Sequence, residues 1–252
     1  MAITSYLYQI LIFLKKKELI SSGKTNSIIE IGEQNCYGDV SFQDLKKTID
    51  NYSDSKNKEI LLRKLNEITT LTELGKDPKT FAFDLAKLFY RAIFDYKEYL
   101  ALDLQGSEHS INFDLNNEYK DVKKYDVVTN IGTSEHIFNQ LAVFKTIHNS
   151  VTAGGLIIHQ LPGQGYYDHG FYNYQPTFFF DLAQANNYLM IGFWMYDNNK
   201  KELISIHNRE NYAKLFDREN HPTYYDNIVI YKSSNKKEEE FKLPTQYIYS
   251  KT

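Results

Sequence analysis

Four short apolar runs, each long enough for one buried strand and each closing on a polar turn, occur at residues 27–31, 99–104, 125–129 and 156–161. Helical spacing of apolar positions appears at 81–94 and again at 138–150, where an Asn-Ser-Val-Thr-Ala-Gly-Gly stretch ends it. Alternating strands and helices predict a parallel sheet with helices packed on it. Between the first two strands, residues 39–79 are polar and helix-prone, with Leu45, Ile49, Leu61, Leu62, Leu65 and Ile68 as the spaced apolar positions. That is longer than an ordinary strand-to-helix connection, so a helical insertion is expected there, either a lid or a structural element. Runs at 188–196 and 227–232 read as antiparallel strands, giving six or seven strands in all.

The apolar run 6–14 is followed, not preceded, by Lys15, Lys16 and Lys17, and is too short to span a bilayer, which takes about 20 residues. A packed N-terminal helix within residues 1–22 is expected, with a membrane-surface helix as the minor alternative. No repeat or long linker interrupts the 252 residues, and the mixed-charge stretch 236–240 reads as a solvated loop. With 42% hydrophobic residues, a single domain over 1–252 is expected. A net charge of -3 supplies no broad positive field, so nucleic acid is not an expected partner. The single cysteine, Cys36, can form no internal disulfide, which fits a reducing compartment, and the protein is read as cytoplasmic without stable membrane insertion.

The chemistry gathers at the strand ends. The first strand runs into Glu30-Ile31-Gly32-Glu33-Gln34-Asn35-Cys36-Tyr37-Gly38, an acid followed by a turn whose glycines let backbone approach a ligand. The second ends in Leu102-Asp103-Leu104, where a carboxylate can accept hydrogen bonds from two ribose hydroxyls. Asn112-Phe113-Asp114 follows, then the strand and loop Asn130-Ile131-Gly132-Thr133-Ser134-Glu135-His136-Ile137, then Gly154-Gly155 ahead of a further strand. Each alone has a bland reading as a tight turn or a capping acid; the order of all five is more specific.

This ordered set, over roughly residues 27–162, resembles the class I, Rossmann-like S-adenosylmethionine-dependent methyltransferases. The resemblance implies a doubly wound, mainly parallel, seven-stranded sheet with a helical insertion after strand one. It also implies S-adenosylmethionine as cofactor and S-adenosylhomocysteine as product. The first loop would lie beneath the methionine moiety (Glu30, Gly32), strand two would bind the ribose (Asp103, Leu104), and Phe113 and Asp114 would lie near adenine. The loop after strand four would complete the site with Asn130 and Gly132. Two departures stand out: Gln34 occupies the position of the family's second loop glycine, and the helix expected after that loop is delayed. The Thr-Ser-Glu-His wording and residues 168–179 are similar to methyltransferases of bacterial surface-polysaccharide clusters.

The acceptor is expected beside the loops after strands four and five, with residues 163–180 as the acceptor-side loop. Methyl transfer needs in-line alignment and exclusion of water, and a base only if the acceptor is a hydroxyl. Candidate bases are His169, His159 and His136. Asp168 could orient His169, while His159, in or beside an apolar strand, has a core reading of equal weight. No metal is assigned to the site, although the same cluster could hold a divalent ion. The expected activity is methyl transfer to a small polar acceptor, a sugar or nucleotide-sugar hydroxyl or carboxylate in surface-glycan biosynthesis. The alternative is a catalytically silent cofactor-binding or scaffold subunit of a methyltransferase pair. An NAD-type dehydrogenase is disfavoured by the missing Gly-x-Gly-x-x-Gly. A membrane-surface protein acting through residues 2–20 would bind lipid. Homo-oligomerisation is left open.

Overall fold

The computed structural model describes residues 2–20, 27–36, 39–121, 123–216, 219–234 and 240–246. Tyr37 and Gly38 of the first loop, residues 21–22 of the N-terminal segment and 236–239 of the charged stretch lie outside these. The chain forms two compact units, Met1–Asn112 and Phe113–Thr252.

The first unit opens with helix α1 (Ser5–Lys16), capped by the Thr4 hydroxyl on the Leu7 N–H at 3.2 Å. Its apolar stripe, Leu7, Ile10, Leu11 and Leu14, is buried, and the buried Lys15 ammonium donates to the Ile93 carbonyl. The packed-helix reading of this segment therefore fits. Strand β1 (Ser27–Ile31) lies next to β2 (Glu98–Asp103), which lies next to β3 (Ser110–Asn112), all parallel. The expected insertion between β1 and β2 is helical: α2 (Phe42–Tyr52) and α3 (Ser55–Glu73) precede a short 3-10 turn and α4 (Ala82–Phe94). Ser41 and Asp54 start α2 and α3 by accepting the N–H groups of Asp44 (3.1 Å) and Asn57 (2.8 Å). Leu45, Ile49, Leu61, Leu65 and Ile68 turn inward as their spacing predicts, whereas Leu62 is only half-buried. Helix α4 stops where Asp95 turns left-handed at φ 50°.

In the second unit, β4 (Tyr125–Ile131) leads through α5 (Gln140–Ser150) to β5 (Val151–Gln164), which pairs with it in parallel. Then come α6 (Pro176–Ala185), β6 (Leu189–Asp197), β7 (Glu202–Ser205), α7 (Arg209–Leu215) and β8 (Tyr225–Lys232). The order is β4-β5-β8-β6-β7, and β8 runs antiparallel to both β5 and β6. Strands β4, β5 and β6 therefore share a direction while β8 and β7 oppose it. Seven of the eight β8 residues are buried, as befits a strand flanked on both edges.

The chain thus has the expected Rossmann-like, mainly parallel α/β fold, with eight strands among the described residues instead of seven. The extra strand is short β7, in which Glu202, Leu203 and Ser205 are exposed and no residue is buried. The loop expected over 163–180 is shorter: β5 persists to Gln164 and α6 begins at Pro176, a residue whose fixed φ suits a first helical turn. Phe179, near the end of the expected loop, is a core residue of α6.

Candidate active site

In the first unit the loop after β1 is held by carboxylates. Glu30 is 1% exposed; its Oε2 accepts the Gln34 N–H (2.9 Å) and the Tyr99 hydroxyl (2.7 Å). Burial pushes its carboxyl up to about 8, against the opposing pull of those two donors and of Lys87. Gly32 turns at φ 75° and donates to the Leu102 carbonyl at 2.8 Å, so β1 ends in a left-handed step that a side chain would strain. The buried Glu33 ion-pairs with Lys87 and accepts the Ser107 N–H (2.5 Å) and hydroxyl (2.7 Å).

Asp103 closes this arrangement, because its Oδ2 accepts the Glu33 N–H (2.9 Å) and its Oδ1 the Gln105 N–H (2.8 Å). Each oxygen keeps a further lone pair, and the two fixed bonds aim the carboxylate without consuming its capacity. Leu104, 53% exposed, stands free just beyond it. The structure thus joins Glu30, Gly32, Asp103 and Leu104 through Glu33, a residue that the sequence reading did not single out. Gln34 is fully buried, and its amide donates back to the Gly32 carbonyl. It fills with its own side chain the space that a second loop glycine would leave open.

In the second unit, Phe113 packs edge-on against Tyr119 at 5.2 Å, and the exposed Asp114 accepts from the Asn116 N–H at 2.9 Å. Asn130 and Gly132 shape the turn after β4. The Asn130 Oδ1 accepts the Ser134 N–H (3.2 Å), its amide donates to Ser134 Oγ (3.0 Å) and His159 Nδ1 (3.2 Å), and Gly132 donates to the Gln160 carbonyl (2.9 Å). Asn130 is completely buried, so its bonds build the loop. His159 lies in the core among the rings of Phe144, Phe179 and Tyr231, and burial drives its pKa down to about 3. Of its two readings the structure favours the core histidine: a buried, neutral imidazole whose Nδ1 is engaged by Asn130 does not meet a solvent-borne acceptor.

His136 and His169 are brought together. Their ring centres are 4.9 Å apart, and the Nε2 atoms stand 3.8 and 3.6 Å from Oε1 of Glu135. Glu135 is fully buried, and among the described residues neither of its oxygens has a hydrogen-bond partner. Burial raises its carboxyl to about 7, and burial and then the neighbouring His169 lower His136. The acid found beside His169 is therefore Glu135, not the chain neighbour Asp168, whose own backbone is left-handed at φ 54°. Glu135 was visible in the Glu-His pair, but its burial and its pairing across 34 residues were not.

Residues 165–175 fasten this cluster. The N–H groups of Phe171 (2.7 Å) and Tyr172 (3.2 Å) donate to the Glu135 carbonyl, and the Tyr172 hydroxyl donates to that of Phe138 (2.9 Å). The Tyr174 hydroxyl reaches Gln140 Oε1 (2.6 Å) and Ser134 Oγ (2.9 Å). Close approach at Gly170 is required, since a Cβ there would meet the Glu135 carbonyl oxygen at 2.9 Å. The Tyr166 ring packs tilted against His169, centres 5.2 Å apart, and its hydroxyl donates to Asp226 at 2.5 Å. A separate cavity of about 450 Å³ in this unit is lined by Gln164, Gln175, Tyr212, Phe216, His221 and Thr223, a set of amides, hydroxyls and rings.

Comparison with known proteins gives the class. The family described as "Methyltransferase domain" matches residues 73–221, more than half of the chain, and the chain belongs to it. It is a class I methyltransferase domain with S-adenosylmethionine as its cofactor. Among solved structures it is similar to a putative sarcosine dimethylglycine methyltransferase from Galdieria sulphuraria (8% identity, 92% of this chain, 86% of that one, TM-score 0.48). It is also similar to 1,6-didemethyltoxoflavin-N1-methyltransferase from Burkholderia thailandensis (8%, 90% and 78%, 0.47). A third is the N-methyltransferase NodS from Bradyrhizobium japonicum (9%, 90% and 86%, 0.45). No curated protein matches the chain.

Proposed function

We propose that this single methyltransferase domain, spanning residues 1–252, methylates a small polar acceptor, a sugar or nucleotide-sugar hydroxyl or carboxylate of surface-glycan biosynthesis, in the cytoplasm. The observation that carries this reading is the Glu135, His136 and His169 cluster, set directly after β4 and covered by the aromatic segment 165–175. In the transfer the acceptor oxygen forms a bond to the methyl carbon as the carbon–sulfur bond breaks. The electron pair passes to sulfur, leaving S-adenosylhomocysteine, and a hydroxyl acceptor also loses its proton. The cluster is the place where that oxygen is activated, with His169 and His136 presented to it and Glu135 behind them. Glu30, Gly32, Asp103, Leu104, Phe113, Asp114, Asn130 and Gly132 are assigned to the cofactor, Asp103 through the lone pairs its backbone bonds leave free. The polar and aromatic lining of the 450 Å³ cavity, free of carboxylates and lysines among the described residues, suits a sugar ring and its hydroxyls.

No helix among the described residues is long and apolar enough to cross a membrane. A second reading, a cofactor-binding subunit without turnover, draws on Gln34, which fills part of the first loop. Calorimetric titration with S-adenosylhomocysteine, with NAD as control, followed by a screen of nucleotide-linked sugars, separates the two. Micromolar binding of the first ligand alone with methylated product supports the enzyme; binding without product from any acceptor selects the silent subunit. No binding overturns both.

A further inference from the structure

Glu135 stands out among the described residues. Its carboxylate is fully buried, yet among the described residues it receives no hydrogen bond. A buried carboxylate without donors is costly, and native folds keep one where a cation compensates it. Its described neighbours include the Nε2 atoms of His169 and His136, at 3.6 and 3.8 Å from Oε1, too long for hydrogen bonds. Three donor atoms thus face one space, all within 4.8 Å of one another. Ligands bound to one ion at about 2.0–2.2 Å stand roughly 3–3.5 Å apart at tetrahedral or octahedral angles, so closure takes a few tenths of an ångström at the two Glu135–histidine pairs and about 1–2 Å at the widest pair of donor atoms, a side-chain rotation of the half-exposed histidines.

We infer that Glu135, His136 and His169 form a binding site for a first-row divalent metal ion. Two imidazoles and one carboxylate suit zinc, cobalt, manganese or ferrous iron better than calcium or magnesium, which prefer all-oxygen shells. The site is open on one side: the histidine side chains are 42% and 44% exposed while the glutamate is 1% exposed. Three protein ligands with an open position are the pattern of a catalytic rather than a structural ion. The surroundings hold the ligands in place independently of any ion, through the Phe171 and Tyr172 N–H groups on the Glu135 carbonyl and Tyr166 on the His169 ring.

In the methyl transfer, and here the inference rests on the reading of the preceding subsection, the acceptor hydroxyl would take the open position. The ion would lower its pKa, so that its proton leaves to solvent before the oxygen attacks the methyl carbon. His136 and His169 would then act as ligands, and no side-chain base would be needed.

The test uses tag-free, full-length protein stripped with chelator and titrated with Co²⁺, whose visible absorption reports coordination, with Zn²⁺ as competitor. One equivalent should bind and give ligand-field bands, and Zn²⁺ should displace it. His169→Ala and Glu135→Gln should each weaken binding about tenfold or more, while His109→Ala, at an exposed histidine elsewhere, should leave it unchanged. Pulsed electron-nuclear spectroscopy of the Cu²⁺-loaded wild-type protein should count two imidazoles, which keeps the question answerable if a variant fails to fold. No stoichiometric binding, fewer than two imidazoles, or unchanged affinity in folded Glu135→Gln and His169→Ala proteins would each overturn the site. S-adenosylhomocysteine titration of the same samples keeps the outcomes apart: metal binding without cofactor binding defeats the methyltransferase reading alone, and the converse defeats the metal site alone.

Discussion

Replacing Glu30 by Gln should reverse the sign of its effect on stability between acid and alkaline pH. Glu30 is buried at the end of β1, with one oxygen bonded to the Gln34 N–H and the Tyr99 hydroxyl and the other, among the described residues, unpartnered. Burial raises its carboxyl from 4.5 to about 8. Below the lower value the group is protonated folded or unfolded, and its contribution to stability is fully present. Between the two values the unfolded chain releases a proton that the fold retains, so stability falls as pH rises, and above about 8 the loss is complete. At about 1.4 kcal/mol per unit, the gap of about 3.5 units corresponds to about 5 kcal/mol. Glutamine keeps a carbonyl oxygen for both donors and abolishes the titration, but leaves a buried N–H group at a cost of about 1–3 kcal/mol at every pH. The variant should therefore be less stable than wild type by about that amount near pH 5, and more stable by about 2–4 kcal/mol near pH 9. Urea unfolding of ligand-free protein, followed by circular dichroism at pH 5, 7 and 9, measures both. A constant difference between variant and wild type across that range would refute the reasoning.

Lys87→Met leaves the buried Glu33 carboxylate with only its Ser107 donors, and should cost about 3–5 kcal/mol in urea unfolding. Lys87→Arg should restore most of it. His159→Phe conserves the ring in its aromatic box, so methyl transfer should survive within a few fold. Because His159 titrates near 3 in the fold and near 6.5 unfolded, its contribution is lost as pH falls through that window, and the variant should unfold less readily at pH 4. A wild-type acid-unfolding profile in the variant, or loss of transfer in a folded variant, counts against this placement. Asp103→Ala should weaken S-adenosylhomocysteine binding by about 1–3 kcal/mol in calorimetry, and unchanged affinity would remove Asp103 from the ribose.

The sequence by itself determined the elements and their chemistry class. Strand β1 was legible residue for residue, and β2, β4, β6 and β8 within two residues at each end, because buried strands are continuous apolar runs bounded by polar turns. The helical insertion was legible from the spacing of Leu45, Ile49, Leu61, Leu65 and Ile68. The three-residue β3 and the exposed β7 carried no pattern, and α6 was hidden inside the expected acceptor-side loop, although packing is the safer reading of Phe178, Phe179 and Phe180. Only the tertiary structure decided what each polar residue does. Burial made His159 a core residue and Asn130 a loop builder, although both belong to the motif-bearing segments. Likewise the partner of His169 turned out to be Glu135, 34 residues earlier, and not the adjacent Asp168. Side-chain type and spacing encode local geometry, whereas desolvation and long-range proximity, which set a pKa or assemble a ligand cluster, depend on how distant segments pack.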